Sequence, residues 1–224
     1  MYRKVGEYKK MTEFQYLDKR VQRSKQDLSN ALFTLLERKK YDQIFIKDII
    51  EEAGYSRGTF YAQYTQKDDL LFERIRFLFN EMIKAYRSPY ENKEYIIIKD
   101  SDPLNLLNHF MKYSKDYHVL LGSNVNIDFK QIITNLFIAL STEEFEYIPP
   151  LGVSSPDNNI LINQSLAYGA IGIILEWIKN DFPITPKQLS DELTNMFQLQ
   201  IGSFCIKRRH SFNEYITKSL CKYT

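Results

Sequence analysis

Cysteine is nearly absent: Cys205 and Cys221 are the only two in 224 residues, too few for a disulfide framework, so a reducing, cytoplasmic setting is expected. The three histidines, His109, His118 and His210, stand at no zinc-ligand spacing with one another or with the cysteines, so no metal is expected. A phosphate-cradling glycine loop and a nucleophile elbow are missing too. Glu143, Glu144 and Glu146 adjoin a stretch of helix-opposing residues, where carboxylates are ordinarily just solvated. Neither catalysis nor a cofactor is expected. The most apolar run, Leu166 to Leu175, is shorter than the ~20 residues that cross a bilayer, and so reads as a buried helix. The N-terminal residues, with Glu7 and Glu13 among their tyrosines, lack the apolar core of a signal peptide. No membrane partner is expected. Net charge is close to balance, with 30 Lys and Arg against 28 Asp and Glu. The distribution is uneven, because the first 25 residues hold eight bases against three acids. Such an arm suits nucleic-acid phosphate or plain solvent.

Composition is that of a folded protein, with 44% hydrophobic and 26% charged residues, in one large or two small domains. Leu28, Ala31, Leu32, Leu35 and Leu36 form one apolar stripe, which predicts a first helix over about Ser24 to Arg38. A second is predicted over Ile46 to Ala53. Gly54 then supplies a turn and Ser56 a cap for a third, short helix over Arg57 to Tyr64, anchored by Phe60 and Tyr64. This is the pattern of a helix-turn-helix. The third helix offers guanidinium, hydroxyl, phenol and amide groups in its first turns, the chemistry a helix needs in a DNA major groove.

A longer helix starts at Lys67, with Leu71, Ile75, Leu78, Phe79, Met82, Ile83 and Tyr86 at helical spacing and Thr65 with Asp68 as its predicted cap. Residues 88–103 interrupt it; Tyr95 to Ile98 fits a short strand or a helix lead-in equally well. Helices are predicted from Leu104 to about Leu121, through Phe129 to Leu140, and over Ile160 to Lys179, with a mobile loop from Ser141 to Asn159. Thr185-Pro186-Lys187-Gln188 opens the last helix, which carries Leu189, Leu193, Met196, Phe197, Ile201 and Phe204. His109, Tyr113, Tyr117, His118, Phe137 and Trp177 could line a small-molecule pocket in the C-terminal domain, or could be packing aromatics.

With these residues in view, the chain resembles the tetracycline-repressor (TetR) family of one-component transcriptional regulators. The likeness is concentrated in Val21 to Ile83, above all in Asp48 to Tyr64 followed by Lys67-Asp68-Asp69-Leu70-Leu71. A weaker likeness runs from Gly169 to Lys179 and into the Pro186 helix. The resemblance implies an all-α fold: a helix-turn-helix DNA-binding domain (residues 19–66) after a basic, tyrosine-containing extension (1–18), joined by a linking helix (67–87) to a larger regulatory and dimerisation domain (67–224). It further implies a homodimer on a palindromic double-stranded operator, probed by a small-molecule effector and most simply acting as a repressor. An activator or co-regulator under a protein partner, or a dimeric interaction module that no longer reads DNA, are the alternatives. Carried over by position, Lys47, Arg57, Gly58, Thr59, Tyr61, Ala62 and Gln63 match groove-facing places, Ser56 caps the reading helix, and Lys67 matches the phosphate-contacting start of the fourth helix. The resemblance also implies that Ala167, Gly169, Gly172, Met196 and Phe197 form the dimer interface, although Gly169 and Gly172 could instead allow close helix packing within the subunit. Two departures stand out: Lys39-Lys40 where members place glycine, and Phe45 where they place a Ser or Thr cap.

Overall fold

The computed structural model describes residues 4–97, 102–125, 127–150, 160–202 and 204–208, with side chains from Lys19 onward except that of Ile160. Nine helices occur among the described residues: α1 (Lys4–Leu36), α2 (Ile46–Ala53), α3 (Arg57–Tyr61), α4 (Lys67–Arg87), α5 (Leu104–Lys112), α6 (Ser114–Leu121), α7 (Phe129–Glu144), α8 (Ile160–Lys179) and α9 (Pro186–Ile201). Three short strands, β1 (Tyr95–Ile97), β2 (Phe145–Ile148) and β3 (Cys205–Arg208), accompany them. The chain divides into two compact units, residues 1–75 with 123–126, and residues 76–122 with 127–224.

In the first unit Leu28, Leu32, Leu36, Ile44, Ile49, Phe60, Leu70 and Leu71 are fully buried, and the expected α1 stripe of Leu28, Ala31, Leu32, Leu35 and Leu36 is buried throughout. α1 starts well before the expected Ser24. It ends without glycine: the Arg38 and Lys39 amides return to the Leu35 carbonyl, and Lys40 is simply extended, so no left-handed residue is needed at Lys39-Lys40. Asn124 completes the closure, its side-chain amide donating to the Leu36 carbonyl at 2.8 Å and its own carbonyl accepting from the Tyr41 amide at 2.7 Å. α2 follows the expected bounds. Phe45 offers no capping side chain, and instead its amide donates to Asp48 Oδ2 at 2.8 Å. The cap of α4 differs in detail from the Thr65–Asp68 expectation. Asp69 Oδ2 accepts from the Thr65 and Gln66 amides and the Thr65 hydroxyl, which leaves Asp68 to accept from the Tyr41 hydroxyl at 2.6 Å.

In the second unit the expected helix over Leu104 to Leu121 is two helices, broken at Tyr113, whose backbone leaves the helical region. The apolar segment at Tyr95 is a strand, and part of the expected loop from Ser141 is ordered structure, with α7 running on to Glu144 and β2 following directly; residues 151–159 of that loop lie outside the described set. Phe204 lies outside the last helix, which stops at Ile201. The strands pair antiparallel in the order β1-β3-β2, with Ile96 opposite Ile206 and Tyr147 opposite Ile206 on the other side. The sheet seals an apolar cluster of Ile96, Phe145, Tyr147, Leu166, Ile201 and Ile206, so the otherwise helical unit carries a small β element that the expected all-α architecture did not include. The start of α9 matches the sequence reading, with Thr185 Oγ1 accepting from the Gln188 amide and Gln188 Oε1 from the Thr185 amide.

α8 is apolar enough over Leu161–Lys179 to span a membrane by length and composition, a longer run than the Leu166–Leu175 core noted in the sequence. Half of it is buried within the second unit, as in the core helix of a folded domain.

Candidate nucleic-acid interface and interior cavity

The turn between α2 and α3 depends on one backbone position. Gly54 sits in the left-handed region at φ 71°, which a side chain would disfavour. Its amide and that of Tyr55 return to the last carbonyls of α2, the latter to Ile50 at 2.9 Å. The Tyr55 hydroxyl donates to Asp27 Oδ2 at 2.9 Å and ties the turn to α1. Ser56 then caps α3, its Oγ accepting from the Thr59 amide at 3.2 Å.

Phe60 is wholly buried and Tyr64 nearly so. α3 ends at Tyr61 and not at the expected Tyr64, so Phe60 within it and Tyr64 just beyond it hold one side of the segment in the bundle, which leaves the opposite side outward. Tyr61 is 57% exposed, a large aromatic with no interior to fill. Arg57, Gly58 and Ala62 are exposed as well, and Arg57 makes no ion pair among the described residues. A Cβ built on Gly58 would meet nothing nearer than Ser56 Oγ at 3.7 Å. The fold therefore does not demand glycine there. The Thr59 hydroxyl lies 3.1 Å from Ser56 Oγ, so both serve the cap. Lys47, on α2, is exposed and only loosely paired with Glu51 at 3.7 Å.

Two residues of the anticipated set are engaged inside the unit. Gln63 donates through Nε2 to Ser24 Oγ at 2.7 Å, which turns its amide toward α1 instead of outward. Lys67 donates to the Tyr41 and Ile44 carbonyls at 2.7 and 2.8 Å, and its ammonium sits 4.1 Å from the Tyr41 ring centroid. That ammonium closes the short 3-10 turn Tyr41–Gln43 between α1 and α2, a role sequence position alone does not reveal.

The second unit encloses a cavity of about 110 Å3. Its wall is drawn from Ala85, Tyr86 and Tyr90 at the end of α4, Ile96 of β1, Asp102, Pro103 and Leu106 at α5, Phe137 and Ser141 of α7, Phe145 and Tyr147 of β2, four residues of α8, three of α9 and Ile206 of β3. Among the pocket residues anticipated from sequence, Phe137 lines this cavity. His109 and Tyr117 do not; they form a buried hydrogen-bonded pair at 2.8 Å, packed on Phe110 and Phe129. Tyr113 packs on Phe77 and His109. His118 lies 3.3 Å from Asp181, and Trp177 donates to the Ile184 carbonyl with its ring against Phe182. Burial pushes the His109 imidazole down to about 4, so it is neutral near pH 7.

The residues anticipated for dimerisation are divided. Ala167 and Phe197 line the cavity, and a Cβ on Gly169 would meet Met196 Cε at 3.9 Å, a contact within the subunit. Gly172 faces open space on α8, which also exposes Tyr168 and Ile173, and Leu199 of α9 is 89% exposed. Sequence reasoning missed Tyr86, Tyr90 and Tyr147. The first and last of these have phenols held above the usual range by burial, and Tyr90 is pushed up to about 12 for the same reason. Beside the cavity Arg87 Nε donates to Glu144 Oε1 at 2.6 Å, an almost wholly buried carboxylate.

Residues 23–73 match the model described as bacterial regulatory proteins, tetR family, and residues 103–199 match one described as a transcriptional regulator C-terminal region. Curated proteins give no match. Among solved structures, the chain is similar to a dihydroxyacetone kinase operon activator, DhaS, at 18% identity and a TM-score of 0.53, over 80% of this chain and 96% of that one. It is similar also to a TetR transcriptional regulator from Streptococcus agalactiae 2603V, at 20% identity and a TM-score of 0.50, over 81% of this chain and 97% of that one. At these identities the likeness is one of fold.

Proposed function

The chain belongs to the tetR family of bacterial regulatory proteins, and from that premise we propose that it is a homodimeric repressor whose two α3 helices read a palindromic operator. The observation that carries this is the division of the segment 57–64 into a buried side, Phe60 with Tyr64, and an outward side of Arg57, Gly58, Tyr61 and Ala62. Arg57 has the reach and fork for a guanine edge, and the Tyr61 hydroxyl suits a phosphate oxygen. Lys47 stands free enough to add a base or phosphate contact. Ser56 and Thr59 shape the helix start, while Gln63 and Lys67 act by holding α3 and α4 in place. Lys67 can still present the amide end of α4 to phosphate. The exposed apolar residues of α8 and α9 form the subunit contact with Gly172 at its centre, and the site of action is the cytoplasm.

An effector in the cavity of the second unit releases the operator, provided it binds one dimer geometry better than the other. α4 supplies residues to both units and is the covalent link through which such a preference passes. The likeness to DhaS, an operon activator, favours a second reading, in which operator binding recruits transcription instead of blocking it. The test is a salt-controlled titration of DNA from upstream of the gene with the wild-type chain, Arg57→Ala and Tyr61→Ala, alongside sedimentation to follow the dimer. Each variant should lose affinity and remain dimeric. Unchanged affinity in both removes α3 as the reading helix, and in vitro transcription with the bound DNA separates repression from activation.

A further inference from the structure

The nature of the effector can be narrowed from the cavity itself, an inference that rests on reading this cavity as the regulatory site. Among the described residues its wall contains no lysine, arginine or histidine, so an anion entering it would lose hydration with no counter-charge from them in return. The one carboxylate, Asp102, is exposed, and its Oδ1 already accepts from the Leu104 amide and the Ser190 hydroxyl. A cation would therefore find no buried partner either. Polar groups in the wall are mostly committed: Ser141 Oγ donates back to the Phe137 and Ile138 carbonyls within α7. Tyr90 has the Asp102 backbone as a hydrogen-bond partner.

Tyr86 is the exception. Its ring is wedged edge-on between Phe137 and Phe145, with centroids at 6.1 and 5.9 Å. Its hydroxyl makes no hydrogen bond to a described residue, and the residue as a whole is half-buried. Burial holds the phenol protonated far above neutral pH, which makes it a standing donor. An unmatched hydroxyl beside an apolar cavity is worth a ligand that satisfies it.

We propose that the cavity binds a compact, uncharged molecule of roughly five or six heavy atoms, apolar over most of its surface and bearing one carbonyl or hydroxyl oxygen that accepts from Tyr86. The size follows from the volume: about 110 Å3 is somewhat less than the roughly 150 Å3 that admits benzene in an engineered apolar cavity.

Cyclopentanone and methylenecyclopentane share shape and differ in the oxygen, and so serve as the pair of ligands to compare by calorimetry on the full chain without DNA. The ketone should bind the wild type more tightly than the alkene does. Tyr86→Phe should weaken the ketone about five- to tenfold and leave the alkene within about twofold, a difference that general damage to the fold does not produce. Ala170→Leu, at the wall, should abolish both. Cyclopentylammonium and cyclobutanecarboxylate should not bind. Tighter binding of either ion, no binding of the neutral pair, or a ketone affinity indifferent to Tyr86→Phe overturns the ligand class. Adding the bound ketone to the operator titration is a separate measurement: unchanged DNA retention there ends the release reading and leaves the ligand class standing, whereas failure of ligand binding leaves DNA reading by α3 untouched.

Discussion

The two units hold their candidate sites in opposite geometries. The first displays its candidate site: the segment 57–64 is pinned by Phe60 and Tyr64, so that Arg57, Gly58, Tyr61 and Ala62 face outward. The second encloses its own: free space is bounded by residues from α4, β1, α5, α7, β2, α8, α9 and β3, none of which makes a site alone. A displayed site costs the fold little, since its side chains contribute almost no packing. An enclosed one is inseparable from the core that forms its wall. Substitutions in the first unit should therefore alter recognition with stability intact, and those in the second should alter stability first.

The largest effect is expected at the Arg87–Glu144 pair. Glu144 is 2% exposed, and removing it takes away the nearly buried carboxylate that accepts from the half-buried Arg87 guanidinium. Glu144→Ala should cost about 3–5 kcal/mol of stability, read as a drop in denaturant midpoint. A loss below about 1 kcal/mol would mean that the pair is solvated in practice and that the second unit is looser than described.

His109 gives a pH-dependent form of the same contrast. Its folded value of about 4 lies below the ordinary 6.5, so the unfolded chain takes up a proton that the folded chain refuses. Stability contributed by the neutral imidazole is complete above about pH 6.5 and is lost as pH falls toward 4, by up to about 3 kcal/mol. Chemical denaturation at a series of pH values should show this slope in the wild type and a shallower one in His109→Gln. Equal slopes would place the titration elsewhere.

Recognition changes come next in size. Arg57→Ala should reduce operator affinity by about 1–3 kcal/mol, roughly ten- to a hundredfold, with the denaturant midpoint moved by less than about 0.5 kcal/mol. Gln63→Ala tests the boundary between display and support. Its Nε2 bonds Ser24, so it should cost stability of about 1 kcal/mol. A larger loss of DNA affinity than of stability would return its amide to the groove.

The same contrast explains what was legible in the sequence. The bounds of α2, the Gly54 turn, the Ser56 cap and the Phe60 and Tyr64 anchors are local: each follows from spacing or backbone preference within a few residues, and each stands where the pattern placed it, whereas α1 starts earlier than expected and α3 ends at Tyr61. The internal tasks of Lys67 and Gln63 depend on carbonyls and hydroxyls more than twenty residues away, which spacing cannot convey. The sheet was out of reach for the same reason, because Cys205–Arg208 is a strand only through its partners at Tyr95 and Phe145. Aromatic residues on amphipathic helices did not declare which of them would face a void: Phe137 does, whereas His109, Tyr117 and Trp177 satisfy one another or the backbone.

Gly58 sharpens the contrast furthest with the smallest change. It is exposed on α3, is not held at positive φ, and a Cβ there would meet only Ser56 Oγ at ordinary contact distance. Within the isolated fold, alanine is the better residue: it restricts the unfolded chain and suits a helix, so Gly58→Ala should raise stability by about 0.4–1 kcal/mol. The absence of a side chain therefore has to be explained by something outside the chain. A duplex whose backbone comes within van der Waals reach of α3 supplies that explanation, and the added methyl should then lower operator affinity even as the denaturant midpoint rises. Stability and recognition moving in opposite directions from one methyl group is a result that neither a damaged fold nor a merely solvated helix can produce. If affinity holds steady while stability rises, the groove does not approach α3 at Gly58 and the reading surface must be centred on Arg57 and Tyr61 alone.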